Sequence, residues 1–341
     1  MSEPYREIRL GVWGAGSMGA RVARSAATLP GVVVGAIIDV DEARARDVAA
    51  SVGAVAAGSL EEACAVADID AVYIGLPNAV HRDAGIEAAR RNLHVLIDKP
   101  LTTDLADADA VLSAAASSSG FWMMGFSYRF REEWRRAREI IRSGGIGEPY
   151  FVSDNVIEAY RVTPAWYWSA EAGGGTLHLQ SHHVFDRWEW LLGADVTAVS
   201  AQTPTTERAD AELAVVVAAR MGPSIVGSSA MSFGVGYDAP PRISFTVQGT
   251  RGMLELDETR RLTVATAEGL VEELHSDDDW LVTQLSAFIA GARGVLADQP
   301  TLAAGRRAVQ LAEAAALSTS DGAWISTPRS LPRIASTGAT P

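Results

Sequence analysis

Cysteine and lysine are almost missing from this chain of 341 residues: each occurs once, as Cys64 and Lys99. A single cysteine excludes an intrachain disulfide, and a reducing compartment is expected. Positive charge is also in deficit. The formal charge is 29 − 42 = −13, so the chain offers little of the basic surface that nucleic acid or an anionic membrane needs. No apolar run reaches the length of a membrane span; the longest are strand-sized. Met1 to Arg9 lacks the charged-then-apolar pattern of a secretory signal. A cytoplasmic protein is expected, with no nucleic-acid or membrane partner.

The scarcity of lysine is informative. Of the 29 basic residues, 29 − 1 = 28 are arginine. On a surface the exchange changes little. A lysine that remains marks a place where an ammonium able to change its protonation state is useful, which a guanidinium is not. Chance retention is the plain alternative.

What is present fits a folded protein of two domains. Hydrophobic residues are 48% and charged residues 21%, and the length allows two cores. Over residues 5–125, apolar runs at Ile8–Trp13, Val32–Ile38, Ala71–Leu76, His94–Ile97 and Phe121–Phe126 alternate with alanine-rich amphipathic segments. Near-continuous apolar strands between helices predict a parallel sheet covered on both faces. Asp41, Ser59 and Asp104 mark helix starts. Beyond residue 126 the pattern predicts a helix over about 131–142, a strand over 149–159, an aromatic loop and a helix over about 175–192. Strands separated by short turns follow from 196, read as an antiparallel meander, and helices over about 279–293 and 302–318 close the chain. The expected fold class is α/β: an N-terminal doubly wound parallel sheet over 1–125, then an α+β domain over 126–330 with a large, mostly antiparallel open sheet. Residues 331–341 read as a flexible tail.

Gly14-Ala15-Gly16-Ser17-Met18-Gly19 is G-x-G-x-x-G, placed after an apolar strand and before a helix. The first glycine permits the turn, the second lets a pyrophosphate approach the backbone, and the third lets helix and strand pack closely. The free N–H groups of the helix start suit phosphate. The next strand ends in Asp39, and 39 − 19 = 20 residues is the spacing for a carboxylate on the adenosine ribose. Val40 follows it, not an arginine, which favours NAD over NADP; Arg44 keeps NADP open.

These motifs, with four others, give a resemblance to the Gfo/Idh/MocA family, the glucose–fructose oxidoreductase and inositol dehydrogenase group. The others are Leu76-Pro77-Asn78 with His81, Asp98-Lys99-Pro100 in place of E-K-P, Gly125-Phe126-Ser127-Tyr128-Arg129-Phe130, and Gly173-Gly174-Gly175 followed by His183 and Asp186. The resemblance covers nearly the whole chain. It implies that Leu76, Pro77, Asn78, His81, Asp98 and Lys99 join the glycine loop and Asp39 at the cofactor. It also implies that Lys99 and His183 are catalytic. Lys99 lies just past an apolar strand, where open α/β sheets bind ligands, and an ammonium there can polarise a substrate oxygen. An exposed ion pair with Asp98 is the plain alternative. The family commonly carries Asp or Glu four residues before its histidine; here that position is Leu179. Asp186, Gln180 and His182 are candidates to compensate.

Tyr128, Arg129, Arg161, Trp166, Gln180, His183 and Asp186 are the candidate substrate contacts. Aromatic faces stack on sugar C–H groups, and arginine binds hydroxyl or carboxylate; core packing is the alternative for the aromatic loop. His178, His182 and Asp186 recur every four residues, a spacing that can bind zinc. No other ligand cluster accompanies them and the family's chemistry needs none, so no metal is expected. His94 reads as structural and His275 as surface. The leading expectation is an NAD-dependent dehydrogenase or ketoreductase acting on a carbinol carbon of a sugar or cyclic polyol. Alternatives are a redox-neutral glycoside-cleaving enzyme of the same family and a dinucleotide-sensing regulator. The resemblance also implies a homodimer or homotetramer.

Overall fold

In a computed structural model of the chain, residues 7–161, 163–204, 210–276 and 279–329 are described. The expected tail over 331–341 lies outside them.

Six strands form the first sheet: β1 (Ile8–Trp13), β2 (Val32–Ile38), β3 (Val55–Ala57), β4 (Ala71–Ile74), β5 (His94–Asp98) and β6 (Trp122–Gly125). Their order is β3-β2-β1-β4-β5-β6, with every pairing parallel. Helices α1 (Ser17–Ala26), α2 (Glu42–Val52), α3 (Leu60–Ala67), α4 (His81–Arg90) and α5 (Leu105–Ala116) connect them. Asp41, Ser59 and Asp104 each accept a hydrogen bond from the backbone N–H three residues on, so all three cap helices. The strand order reverses between β1 and β4. That opens a crevice at their C-terminal ends, the usual ligand position in such sheets.

Helix α6 (Glu132–Arg142) leads to a second sheet. Its strands are β7 (Pro149–Tyr160), β8 (Val196–Gln202), β9 (Ala214–Met221), β10 (Ile225–Val235), β11 (Ala239–Gly249), β12 (Gly252–Asp257), β13 (Arg261–Thr266), β14 (Gly269–Leu274) and β15 (Ile325–Ser326). The order is β14-β13-β12-β11-β7-β10-β9-β8-β15. The expected meander is interrupted: β7 inserts between β11 and β10 and runs parallel to β10. Turn spacing reveals neighbours in sequence, whereas this strand enters from far earlier. The short strands β3 and β15 and the exposed strand β14 were also absent from the sequence reading, for want of an apolar run long enough to register.

The helix expected over 175–192 has two parts, a π-helical turn at Leu177–Ser181 and α7 (His182–Leu192). Helices α8 (Trp280–Ala292) and α9 (Leu302–Ser318) follow the second sheet in sequence but reach into the first sheet's cores, while Leu311, Ala312, Ala314 and Ala315 of α9 also join the second sheet's core. Leu281, Leu285, Phe288 and Ile289 of α8 join the core under β1 and β2, and Leu302, Ala308 and Val309 join the core under β4 and β5. A division at 125/126 therefore separates the two sheets but not their cores. Burying an apolar helix face is worth about 25 cal/mol per Å² wherever the face is found, regardless of sequence order.

Candidate active site

The glycine turn after β1 meets the loop after β4. Gly14 has φ +105°, and a Cβ there would overlap the carbonyl oxygen of Gly75. A Cβ on Gly19 would overlap the carbonyl of Gly14. Gly16 differs: its φ is −68°, and an added Cβ meets nothing within 4 Å. Neither strain nor packing within the chain requires glycine there. A group from outside that needs the bare backbone does, and no side chain caps the start of α1. Ser17 and Met18 form its first turn. This surface fits a dinucleotide pyrophosphate.

Asp39, buried at the end of β2, accepts from Ala15 N (2.7 Å), Asp41 N (2.9 Å), Arg44 Nε (3.2 Å) and Arg44 Nη2 (2.7 Å). Burial alone would raise its carboxyl; the hydrogen bonds, led by that from Arg44, outweigh it and hold the group below the usual carboxylate range. Asp39 thus ties the glycine turn to α2, and Arg44 sits beside it.

The loops after β4 and β5 are braced together. The His81 ring faces the carbonyl oxygens of Pro100 (2.7 Å) and Leu76 (2.9 Å), a strut between the two loops. Asn78 Nδ2 donates to Gly173 O at 2.7 Å, which joins the first sheet's edge to the triple-glycine run. Pro77 precedes the short turn that carries Asn78. Asp98 accepts from the Tyr73 hydroxyl (2.9 Å) and the Lys99 amide (2.8 Å), so both its oxygens are occupied locally. The Lys99 side chain instead crosses to the π turn, where Nζ donates to Leu179 O at 2.6 Å. Burial lowers the Lys99 ammonium; Asp98 and Glu158 act in the opposite sense.

His183 begins the second position of α7, one turn after Leu179. Its ring stands edge-on to Tyr128 at 5.0 Å between centroids and to Phe126 at 6.4 Å. Burial, then the positive charges of Lys99, Arg187 and Arg131, push it well below the ordinary histidine range. The three expected compensators for Leu179 go elsewhere. Asp186 takes a two-pronged bond from Arg129 (3.0 and 2.6 Å). Gln180 Nε2 donates to Glu158 at 2.5 Å. His182, 1% exposed, has both ring nitrogens without a hydrogen bond among the described residues and stacks on His178 at 6.1 Å.

The structure therefore brings Lys99 to the turn that carries Gln180 and precedes His183, whose ring packs against Tyr128. Trp166 packs edge-on to Tyr167 at 4.5 Å in the aromatic loop, which the triple glycine holds through Gly175 N to Tyr167 O, 2.8 Å. Arg129 and Asp186 line a separate cavity with Arg138, Arg142, Glu189 and Arg307, one that includes neither Lys99 nor His183. Arg161 pairs with Asp238 at 3.3 Å, with the two side chains 71% and 65% exposed, and is not drawn to the site. The sequence reading missed Glu158. Its signal was present: a carboxylate on the same alternating face of β7 as Asp154 and Val156.

Comparison with known proteins bears on the family. Residues 8–126 match the model of an oxidoreductase family with an NAD-binding Rossmann fold, and residues 134–255 match the GFO/IDH/MocA C-terminal domain. An inositol 2-dehydrogenase of Leifsonia xyli subsp. xyli is 31% identical over 251 residues, 70% of this chain and 71% of that protein. A myo-inositol 2-dehydrogenase of Thermotoga maritima is 26% identical over 268 residues, 76% of this chain and 78% of that one. A levoglucosan dehydrogenase solved with NADH and levoglucosan shares the fold, with a TM-score of 0.86 over 95% of this chain and all of its own (100%), at 22% identity. A glycine turn built for a dinucleotide, a lysine reaching from its sheet to a histidine helix, and these matches lead to one conclusion: the chain belongs to the Gfo/Idh/MocA family of NAD-binding oxidoreductases.

Proposed function

We propose that the protein oxidises a secondary hydroxyl of a sugar or cyclic polyol with NAD, or reduces the corresponding ketone with NADH. The observation that carries this reading is the reach of Lys99 from the NAD-binding sheet to Leu179, one turn before His183.

Gly14, Ala15, Gly16, Ser17, Met18 and Gly19 would hold the pyrophosphate, Asp39 the adenosine ribose, and the Leu76–His81 and Asp98–Lys99 loops the far end. NAD supplies the acceptor for the hydride that leaves the carbinol carbon. His183, held neutral by its surroundings, accepts the hydroxyl proton on a ring nitrogen. Lys99 donates a hydrogen bond to the same oxygen and stabilises the negative charge that builds there. The carbon gains a C=O bond as its C–H bond breaks, so two electrons leave with the hydride and one proton with His183. Tyr128, Trp166 and Gln180 wall the substrate. A polyhydroxylated ring fits this wall, because aromatic faces cover C–H surfaces while Gln180 and Lys99 meet hydroxyls. The inositol and levoglucosan dehydrogenases among the relatives carry such ring substrates in their names.

The protein acts in the cytoplasm as a homodimer or homotetramer. The outward face of the second sheet supports association: Ser153, Asn155, Ser228, Ala230, Ser244 and Thr246 are small residues that let two sheets approach closely. Purified protein with NAD, screened against inositols, anhydrosugars, free sugars and sugar acids, is expected to form NADH with one class. No NADH with any of them, from protein that binds NAD, would overturn the reading.

A further inference from the structure

Strand β7 presents two carboxylates to the helix that carries His183. Alternation places Asp154, Val156, Glu158 and Tyr160 on one side of the strand. Asp154 is taken up by Arg187, which closes on it with bonds of 2.9 and 2.7 Å. Glu158 lies four residues further along the same face, and its helix partner, Gln180, lies seven residues before Arg187. The two carboxylates therefore meet the same helical segment about two turns apart.

The two sites differ in what they hold. Among the described residues, no arginine or lysine nitrogen lies within 4.0 Å of the Glu158 carboxylate. It accepts from Gln180 Nε2 at 2.5 Å, a neutral donor, and the neutral Tyr160 hydroxyl lies beside it. A half-buried carboxylate held by neutral donors alone is expensive unless a cation stands nearby. Burial raises the Glu158 carboxyl, and the positive charges of Lys99 and, to a lesser extent, Arg131 act in the opposite sense. The connection runs through adjacent residues of the π turn: Leu179 holds Lys99 by its carbonyl, and Gln180 holds Glu158 by its side chain. Asp98 cannot take the same part freely, since Tyr73 and the Lys99 amide occupy its oxygens.

We propose that Glu158, held by Gln180, the residue next to the one that anchors Lys99, is the positioning residue for Lys99, a carboxylate supplied from the second sheet. This rests on the reading of Lys99 as the group that meets the substrate oxygen. The other titratable groups around the pair are Asp98 beside Lys99, His81, His182 and His183, whose protonation Lys99 opposes, and Tyr160, Tyr167 and Arg131 around Glu158. Removing the Glu158 charge leaves Lys99 with Asp98 as its remaining close carboxylate. The ammonium then gives up its proton at lower pH and is less firmly directed toward the substrate oxygen.

The solitude of Lys99 makes this measurable without turnover. Reductive methylation with isotope-labelled formaldehyde marks one lysine besides the chain's α-amine, and its NMR signal titrates with the ammonium. Glu158→Gln is expected to lower that midpoint by on the order of one unit and to move the basic limb of kcat/KM down with it, while NAD affinity holds. Glu158→Asp should recover part of the shift. Gln180→Leu, which frees Glu158 without removing its charge, should give a smaller shift and serves if Glu158→Gln does not fold. An unchanged or raised midpoint in a variant that still binds NAD overturns the proposal. Should the wild-type protein prove inactive as a dehydrogenase, the functional reading fails on its own assay, and the NMR titration still decides whether Glu158 serves Lys99.

Discussion

The Lys99 ammonium donates a 2.6 Å hydrogen bond to the main-chain oxygen of Leu179, so the chain's one lysine spans from the edge of the first sheet to the turn that precedes His183. The acceptor is a backbone atom, and it survives any side chain at 179. A leucine there removes a carboxylate from the site but not the anchor for Lys99.

Lys99→Ala should leave NAD binding in place and lower turnover by about 10²–10⁴, the usual contribution of a placed acid/base group. Fluorescence titration with NAD and steady-state rates measure the two halves separately. Turnover near the wild-type level would sink the assignment of Lys99.

His183 acts as a proton acceptor only while neutral. Its surroundings push it well below the ordinary value of 6.5, so the acid limb of kcat/KM should lie below that pH, and His183→Asn should abolish the limb with the activity. The same shift bears on stability. His178, His182 and His183 are all depressed, so the folded state binds fewer protons than the unfolded chain. Their contribution is full above about pH 6.5 and is lost as pH falls through and below it. A melting temperature from these groups that rose on acidification would contradict the sign.

Gly16→Ala and Gly14→Ala should separate binding from folding. An added Cβ at Gly16 meets no atom of the chain, whereas at Gly14 it strikes the Gly75 carbonyl in a backbone of φ +105°. Gly16→Ala is expected to raise the KM for NAD with little change in melting temperature. Gly14→Ala is expected to destabilise the fold itself, by roughly 1–3 kcal/mol or more for strain of this kind. Equal melting temperatures for both variants would count against this account.

Arg187 and Asp154 form an ion pair with both side chains 0% exposed, roofed by Tyr128 at 4.2 Å from the guanidinium. Arg187→Met leaves an uncompensated buried carboxylate and should cost about 3–5 kcal/mol. Replacing both, with Asp154→Leu added, should return much of it. Denaturant unfolding of the single and double variants tests this; a single variant as stable as the wild type would show the pair to be dispensable.

Local chemistry was legible where it depended on neighbours in the chain. The apolar runs gave the parallel strands, Asp41, Ser59 and Asp104 gave helix starts, and the glycine spacing with Asp39 gave the dinucleotide turn, because caps, turns and strand faces are decided over a few residues. The solitude of Lys99 was likewise a fact of composition. What tertiary structure alone decided was pairing at a distance. It placed β7 between β11 and β10, returned α8 to the first sheet's core, committed Asp186 to Arg129, and set Arg161 on the surface with Asp238. It also tied Glu158 and Lys99, 59 residues apart (158 − 99), to adjacent residues of the π turn. A charged side chain has several candidate partners of opposite charge, and the sequence does not rank them. The choice is made by which backbones the burial of apolar surface brings together, and only then by the short-range hydrogen bonds that burial permits.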